Sequence, residues 1–307
     1  MKLSRRAHWR PVVLAVVLFI LIGGIGFLLR PVSYFNQWLY LREHLTGIES
    51  RSVPVKGHRL HYLAEGPARG PVVVLLHGLG ASAESWRNLA PYLAKAGFRV
   101  YIPDLLGFGR SDQPADFSYA VRDEAAVVVE FMDALGLKHV DLGGWSMGGW
   151  ISEIVAAEHP DRVGRLMLFD AAGLNVVPDW NTDLFTPTTP AELDDLDALL
   201  MPHPPQVPGF VARDIVRAIE KDAWVVKRTT ASMRTGRDTT DSLLPQLKMP
   251  VLIVWGDLDR ITPLSQGDAI HRLIPQSEME VFAGCGHLAP LECAQAIGPR
   301  VVSFAQE

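Results

Sequence analysis

The chain has 307 residues, of which 48% are hydrophobic and 21% charged, with a formal net charge of -5. That length suits one α/β domain with an insertion beside a short extra segment, and the mild acidity offers no electrostatic footprint for nucleic acid. Two cysteines do not make a disulfide scaffold and cannot build a zinc site unaided. No His, Cys, Asp and Glu group has metal-ligand spacing and no glycine-rich loop carries a P-loop lysine, so neither metal nor cofactor is expected.

The first element is an apolar run over 11–29, interrupted only by Gly23, Gly24 and Gly26, and close to bilayer-spanning length. Lys2, Arg5, Arg6 and Arg10 precede it, whereas only Arg30 and Arg42 lie just after. The positive-inside rule therefore places the N-terminus in the cytoplasm and the body of the chain across the membrane, as for a bacterial inner-membrane protein. The bulky Phe27-Leu28-Leu29-Arg30-Pro31 has no small-x-small cleavage site, which favours an uncleaved anchor over a signal peptide. Over 32–45, Tyr34, Phe35, Trp38 and Tyr40 mix with Arg42 and Glu43 in a helix-like pattern that suits the headgroup layer; packing on a globular domain would use the same residues. The expected organisation is an anchor over 1–30, a juxtamembrane helix over 31–52 and a globular domain over 53–307.

In that domain short apolar runs predict strands at 60–64, 72–76, 99–103, 140–144, 163–169, 251–255 and 278–282. They alternate with helical patterns near 82–96, 119–135, 147–158 and 264–273. Such alternation predicts a mostly parallel sheet covered by helices on both faces. Between about 174 and 240 it stops, giving way to proline, acidic residues and large apolar side chains such as Trp180, Phe185, Phe210 and Trp224. Val211, Ile215 and Ile219 follow helical spacing, so short helices forming a cap are expected there.

The motifs that carry chemistry stand at strand ends. His77-Gly78-Leu79-Gly80 follows the second predicted strand, and Gly144-Trp145-Ser146-Met147-Gly148 links the fourth to a helix. The latter reads as a nucleophile elbow, in which flanking glycines avoid collisions and the serine hydroxyl is lifted to a helix N-terminus that favours developing negative charge. A serine needs a base, an acid to orient that base, and oxyanion donors. Gly256-Asp257-Leu258-Asp259 and Gly284-Cys285-Gly286-His287 offer the first two, and the amides of Leu79 and Met147 the third. Asp104 and Ser111 read as parts of a local turn, and Glu292 as a complement to a helix dipole. His44, His58, His61, His139, His159, His203 and His271 lack a paired acid motif and are assigned to the surface or to packing. Cys285 and Cys293 are expected as free thiols.

H-G-L-G, the D-L-L-G-F-G-R-S of 104–111, G-W-S-M-G-G and the G-x-x-D plus G-C-G-H pair together resemble the α/β-hydrolase superfamily over about 53–305. The resemblance implies Ser146 as nucleophile, His287 as base and Asp259 as acid, in the order serine, acid, histidine. Asp257 is the nearest rival acid, and Asp170 a second, since some lipases of this fold place the acid there. An N-terminal membrane segment, with A-G-L at 172–174 and T-P-A-E-L at 189–193, is further similar to membrane-anchored monoacylglycerol lipases and related bacterial lipases. Trp145 departs from the small or polar residue usual before the nucleophile. The implied activity is hydrolysis of carboxylic esters of lipophilic acyl substrates, with lipid and membrane as partners. Alternatives on the same fold are a C–C bond hydrolase, a haloperoxidase, an acyltransferase, or a catalytically silent binding protein; a serine in place of aspartate excludes dehalogenase and epoxide-hydrolase chemistry.

Overall fold

A computed structural model describes residues 9–307. Lys2, Arg5 and Arg6, on which the expected orientation partly rests, lie outside the described residues. Helix α1 (Trp9–Leu29) is long and apolar enough to cross a membrane, and large side chains such as Val12, Leu14, Ile20, Ile22, Ile25 and Leu29 stand exposed. Arg30 leaves helical geometry, and Pro31 then opens α2 (Pro31–Thr46), its fixed φ suiting a first helical position. Glycine at 47, with φ 75°, ends α2.

Eight strands follow: β1 (Glu49–Val55), β2 (His58–Glu65), β3 (Val72–Leu76), β4 (Arg99–Pro103), β5 (Val140–Trp145), β6 (Val163–Phe169), β7 (Val251–Gly256) and β8 (Glu278–Phe282). They form one sheet in the order β1-β2-β4-β3-β5-β6-β7-β8. The β1–β2 and β2–β4 pairs are antiparallel and all others parallel. β1 begins before the first strand that sequence alternation predicts; it is polar, and pairing with β2 from Glu49↔Ala64 to Val55↔His58 makes it a strand. Because the central strands are covered on both faces, their side chains divide alternately between two cores. Val74 and Leu76 join Phe131, Ile151 and Ile154, whereas Val73 and Leu75 join Trp86, Leu93, Val301 and Phe304.

The first core is covered by α4 (Val121–Ala134), α5 (Met147–Glu158) and α8 (Leu264–Leu273), the second by α3 (Ala90–Lys95) and α10 (Ala294–Gln306). The helix expected over 82–96 divides into a 3₁₀ turn, Ala83–Trp86, and α3. The cap holds α6 (Pro190–Leu200) and α7 (Gly209–Met233). The expectation of short helices is corrected for α7, which runs 25 residues. Its buried positions, Ala212, Asp214, Val216, Val225, Val226 and Thr229, include too many polar or small residues to announce one continuous stripe.

α2 is fastened to this body by charge. Buried Glu43 accepts from Arg110, which also meets Glu84 and donates to Ser50 at 2.8 Å. Burial and the neighbouring Glu43 carboxylate push the Glu84 carboxyl up to about 7.

Candidate active site

β5 delivers Ser146 at its C-terminal end with φ 55° and ψ -119°, a strained conformation for a residue with a side chain. The elbow requires its glycines: a Cβ on Gly144 would lie 2.0 Å from the Gly148 carbonyl oxygen, and one on Gly148 would lie 2.2 Å from that of Leu76. His287 follows β8 on a loop before α9 (Ala289–Glu292), and Asp259 follows β7. The order in the sheet puts β3, β5 and β7 close enough for their loops to converge at one edge.

Ser146 Oγ stands 2.9 Å from His287 Nε2, and His287 Nδ1 stands 2.8 Å from Asp259 Oδ2. The carboxylate fixes the tautomer, so Nδ1–H donates to Asp259 and Nε2 is free to accept the serine proton. Asp259 is itself held, its Oδ1 accepting from the amides of Ile261 at 2.7 Å and Thr262 at 3.0 Å, and its Oδ2 from the Thr262 hydroxyl at 2.7 Å. All three side chains are buried.

The rival acids are elsewhere engaged. Asp257 is exposed and accepts from the Gly284 amide at 2.7 Å. Asp170 is fully buried with φ 44° and accepts from the Gly256 amide at 2.8 Å. Burial and the nearby charge of Asp259 raise its carboxyl well above the usual carboxylate range. Neither bonds to His287 among the described residues. The amides of Leu79 and Met147 are taken by no protein acceptor among the described residues, and both residues line the space beside Ser146.

Asp104 and Ser111 form a turn, as the sequence suggests, but a buried one. Asp104 accepts from the amides of Ala83 and Arg110 and from His61 Nδ1 at 2.8 Å, while the Ser111 hydroxyl donates to its carbonyl. The assignment of His61 to surface or packing without an acid is thus corrected. Its partner lies 43 positions away, beyond the reach of any local motif. His77 accepts from the Leu105 amide and donates to the Gly78 carbonyl, and burial lowers its pKa, so it is a neutral brace for the His77-Gly78 turn. The expectation of free thiols is also corrected: Cys285 and Cys293 form a disulfide that closes the loop carrying His287.

Two cavities meet at Ser146, of about 410 and 250 Å³, sharing Leu79, Ser146 and Phe185. A model of the alpha/beta hydrolase fold matches residues 71–221 and 226–293. The chain belongs to the α/β-hydrolase family. It is 29% identical over 292 residues to Lipase 1 of Psychrobacter immobilis, covering 89% of each chain. It is 30% identical to 2-hydroxy-6-oxo-6-phenylhexa-2,4-dienoate hydrolase of Burkholderia cepacia, covering 80% of this chain and 91% of that one. Among solved structures it superposes on a membrane phospholipase A, described as a bacterial virulence factor, with a TM-score of 0.81 at 26% identity, over 97% of this chain and all of the other. This hydrolase therefore resembles bacterial lipases in fold and sequence.

Proposed function

We propose that the protein is a membrane-anchored serine hydrolase that cleaves carboxylic esters of lipophilic acyl substrates, of the monoacylglycerol lipase or esterase kind. The unbroken hydrogen-bonded series Ser146–His287–Asp259, at the foot of a largely apolar cleft, carries the reading. Ser146 Oγ attacks the ester carbonyl carbon as its proton passes to His287 Nε2, and the resulting oxyanion is held by the amides of Leu79 and Met147. Collapse breaks the bond to the alkoxy oxygen, which leaves with the proton from Nε2 and yields the acyl-enzyme. Water, activated by the same nitrogen, then releases the acid. Asp259 keeps the imidazole in its working tautomer and stabilises its charged form.

The apolar helix α1 supports an anchor over 1–30, with α2 beside the membrane and the cap reaching from about 174 to 240. The Cys285–Cys293 disulfide supports placing the catalytic domain on the oxidising, extracytoplasmic side.

The similarity to a dienoate hydrolase favours a second reading, C–C bond hydrolysis on the same residues. Purified full-length protein assayed on p-nitrophenyl esters, monoacylglycerols and a vinylogous 1,5-diketone separates the two. Ester turnover lost in Ser146→Ala supports the first; turnover of the diketone alone overturns it.

A further inference from the structure

The larger cavity does not end in the cap. From Ser146 it passes Leu200, Ile219 and Ile215, and reaches Val32, the second residue of α2 and only three positions beyond the end of α1. At that point α7 is joined to the anchor. Asp214, buried on α7 next to Ile215, accepts from the Val32 amide at 3.0 Å; Arg217, which pairs with Asp214 at 2.8 Å, also reaches the Leu29 carbonyl at 3.5 Å. Arg30 lies 3.8 Å from the same carboxylate. Across the junction the rings of Phe27 and Phe210 meet edge to face, with centroids 6.1 Å apart. The face of α2 beyond the mouth is exposed and aromatic, with Phe35 and Trp38 stacked at 5.7 Å, and continues the exposed apolar surface of α1. A bilayer is the partner that fits both surfaces at once.

Both cavities are walled mainly by apolar side chains. Aliphatic side chains of α6 and α7, among them Leu200 and Ile219, form one wall of the larger, whose polar groups include Ser85 and an Asp222 held by Gln113 at 2.9 Å. The smaller sets Leu174, Trp180 and Met233 beside Asn175, Thr230 and Arg234.

Resting on the proposed ester hydrolysis, we infer that the larger cavity is a hydrocarbon-chain channel whose mouth, at the α1–α2 junction, faces the bilayer. Asp214 is a positioning residue, holding the cap helix and the anchor together at the mouth. The lipid chain then slides from the membrane along the larger cavity to Ser146.

The test uses full-length protein and a chain-length series of p-nitrophenyl esters. Val32→Trp narrows the mouth, and the ratio of kcat/KM for long-chain to short-chain esters is expected to fall about tenfold or more, since the larger ring overfills a packed site. Val32→Phe carries the same test in a smaller step should Val32→Trp not be labelled by a fluorophosphonate probe. In Asp214→Ala, hydrolysis of one long-chain monoacylglycerol from phosphatidylglycerol–phosphatidylethanolamine vesicles is expected to fall about fivefold or more relative to the same lipid in detergent micelles. Unchanged ratios in probe-labelled variants overturn the channel while leaving ester hydrolysis standing. A wild-type protein that hydrolyses no ester overturns the functional reading, and the channel with it.

Discussion

The indole N–H of Trp145 donates to the backbone carbonyl of His287 at 2.6 Å, so the residue just before Ser146 holds the main chain of His287. The two rings also stand 5.5 Å apart, and a Cβ on Gly78 would press on the same indole at 3.1 Å. The bulk that sets Trp145 apart from the usual residue at this place therefore has a use: it joins the elbow to the histidine loop.

Trp145→Phe keeps a ring but removes the donor from a buried carbonyl, a loss of about 1–3 kcal/mol. Freed from it, the histidine loop is expected to lower kcat for a short soluble ester by about tenfold while KM moves little, because the loss falls on the transition state. A kcat equal to wild type would show that the indole only fills space.

Acid substitutions should separate the three aspartates. Asp259→Asn mis-sets the imidazole and is expected to cut kcat by about four decades, as is usual when the acid of such a triad is lost. Asp170→Asn should cost far less, because burial and the nearby charge of Asp259 raise the Asp170 carboxyl well above the usual range, and an amide oxygen can still accept from the Gly256 amide. Asp257→Asn, at an exposed position, should cost least. Steady-state kinetics with fluorophosphonate labelling of each variant checks the ranking. A severe Asp170→Asn and a mild Asp259→Asn would transfer the role of the acid.

Much of this arrangement is legible along the chain because its causes are local. Val72–Leu76 is a strand covered on both faces, hence an unbroken apolar run, and Gly144 is dictated by the carbonyl of Gly148 four residues on. What was not legible depends on partners far away in sequence. Glu49-Ser50-Arg51-Ser52 has no strand pattern of its own and is ordered by its ladder with β2. His61 finds Asp104, and Glu43 finds Arg110, only after the sheet has formed. The spacing of Cys285 and Cys293 says nothing about whether the loop folds back far enough to join them; the structure brings their Cα atoms to 6.2 Å.

That disulfide should matter more to stability than its small loop suggests. Closing a loop with a sequence separation of eight is worth about 2–3 kcal/mol by chain entropy, and the loop carries His287. Dithiothreitol, or Cys285→Ser with Cys293→Ser, is expected to lower the urea midpoint and to reduce kcat several-fold. Thiols that titrate in the denatured but unreduced protein would show that the bond is absent.

Glu153 is fully buried on α5, its Oε2 accepting from the Thr240 hydroxyl, and burial pushes its carboxyl up to about 8. Between pH of about 4.5 and 8 the folded chain keeps a proton here that the unfolded chain has released, so stability is complete below that window and declines as pH rises through it. Glu153→Gln removes the ionisation while keeping an acceptor for Thr240. Its Tm is expected to fall less than that of wild type between pH 5 and pH 8, by a margin that calorimetry resolves. Equal falls in both proteins would mean that Glu153 is already ionised in the fold.

Helix α1, the proposed anchor, can be removed only at the right place. A cut through Ser50 would delete α2 and the start of β1, taking with it the buried Leu39 and Glu43 and two pairs of the β1–β2 ladder, so that product is expected to be unstable. A cut after Leu29 spares the ladder, the Glu43–Arg110 pair and the Asp214–Val32 bond. Among the described residues none of Ser146, Asp259 and His287 bonds to α1, so this shorter protein should turn over a short soluble ester within a few-fold of the full chain. It should also move from the membrane fraction to the soluble one. With lipid in bilayers it should lose most activity, because the anchor no longer holds the enzyme at the surface where the substrate resides, and the high effective concentration that tethering provides is gone. A folded, probe-labelled protein lacking residues 1–29 that cannot hydrolyse the short ester, or a full-length chain that stays soluble without detergent, would refute this division between location and chemistry.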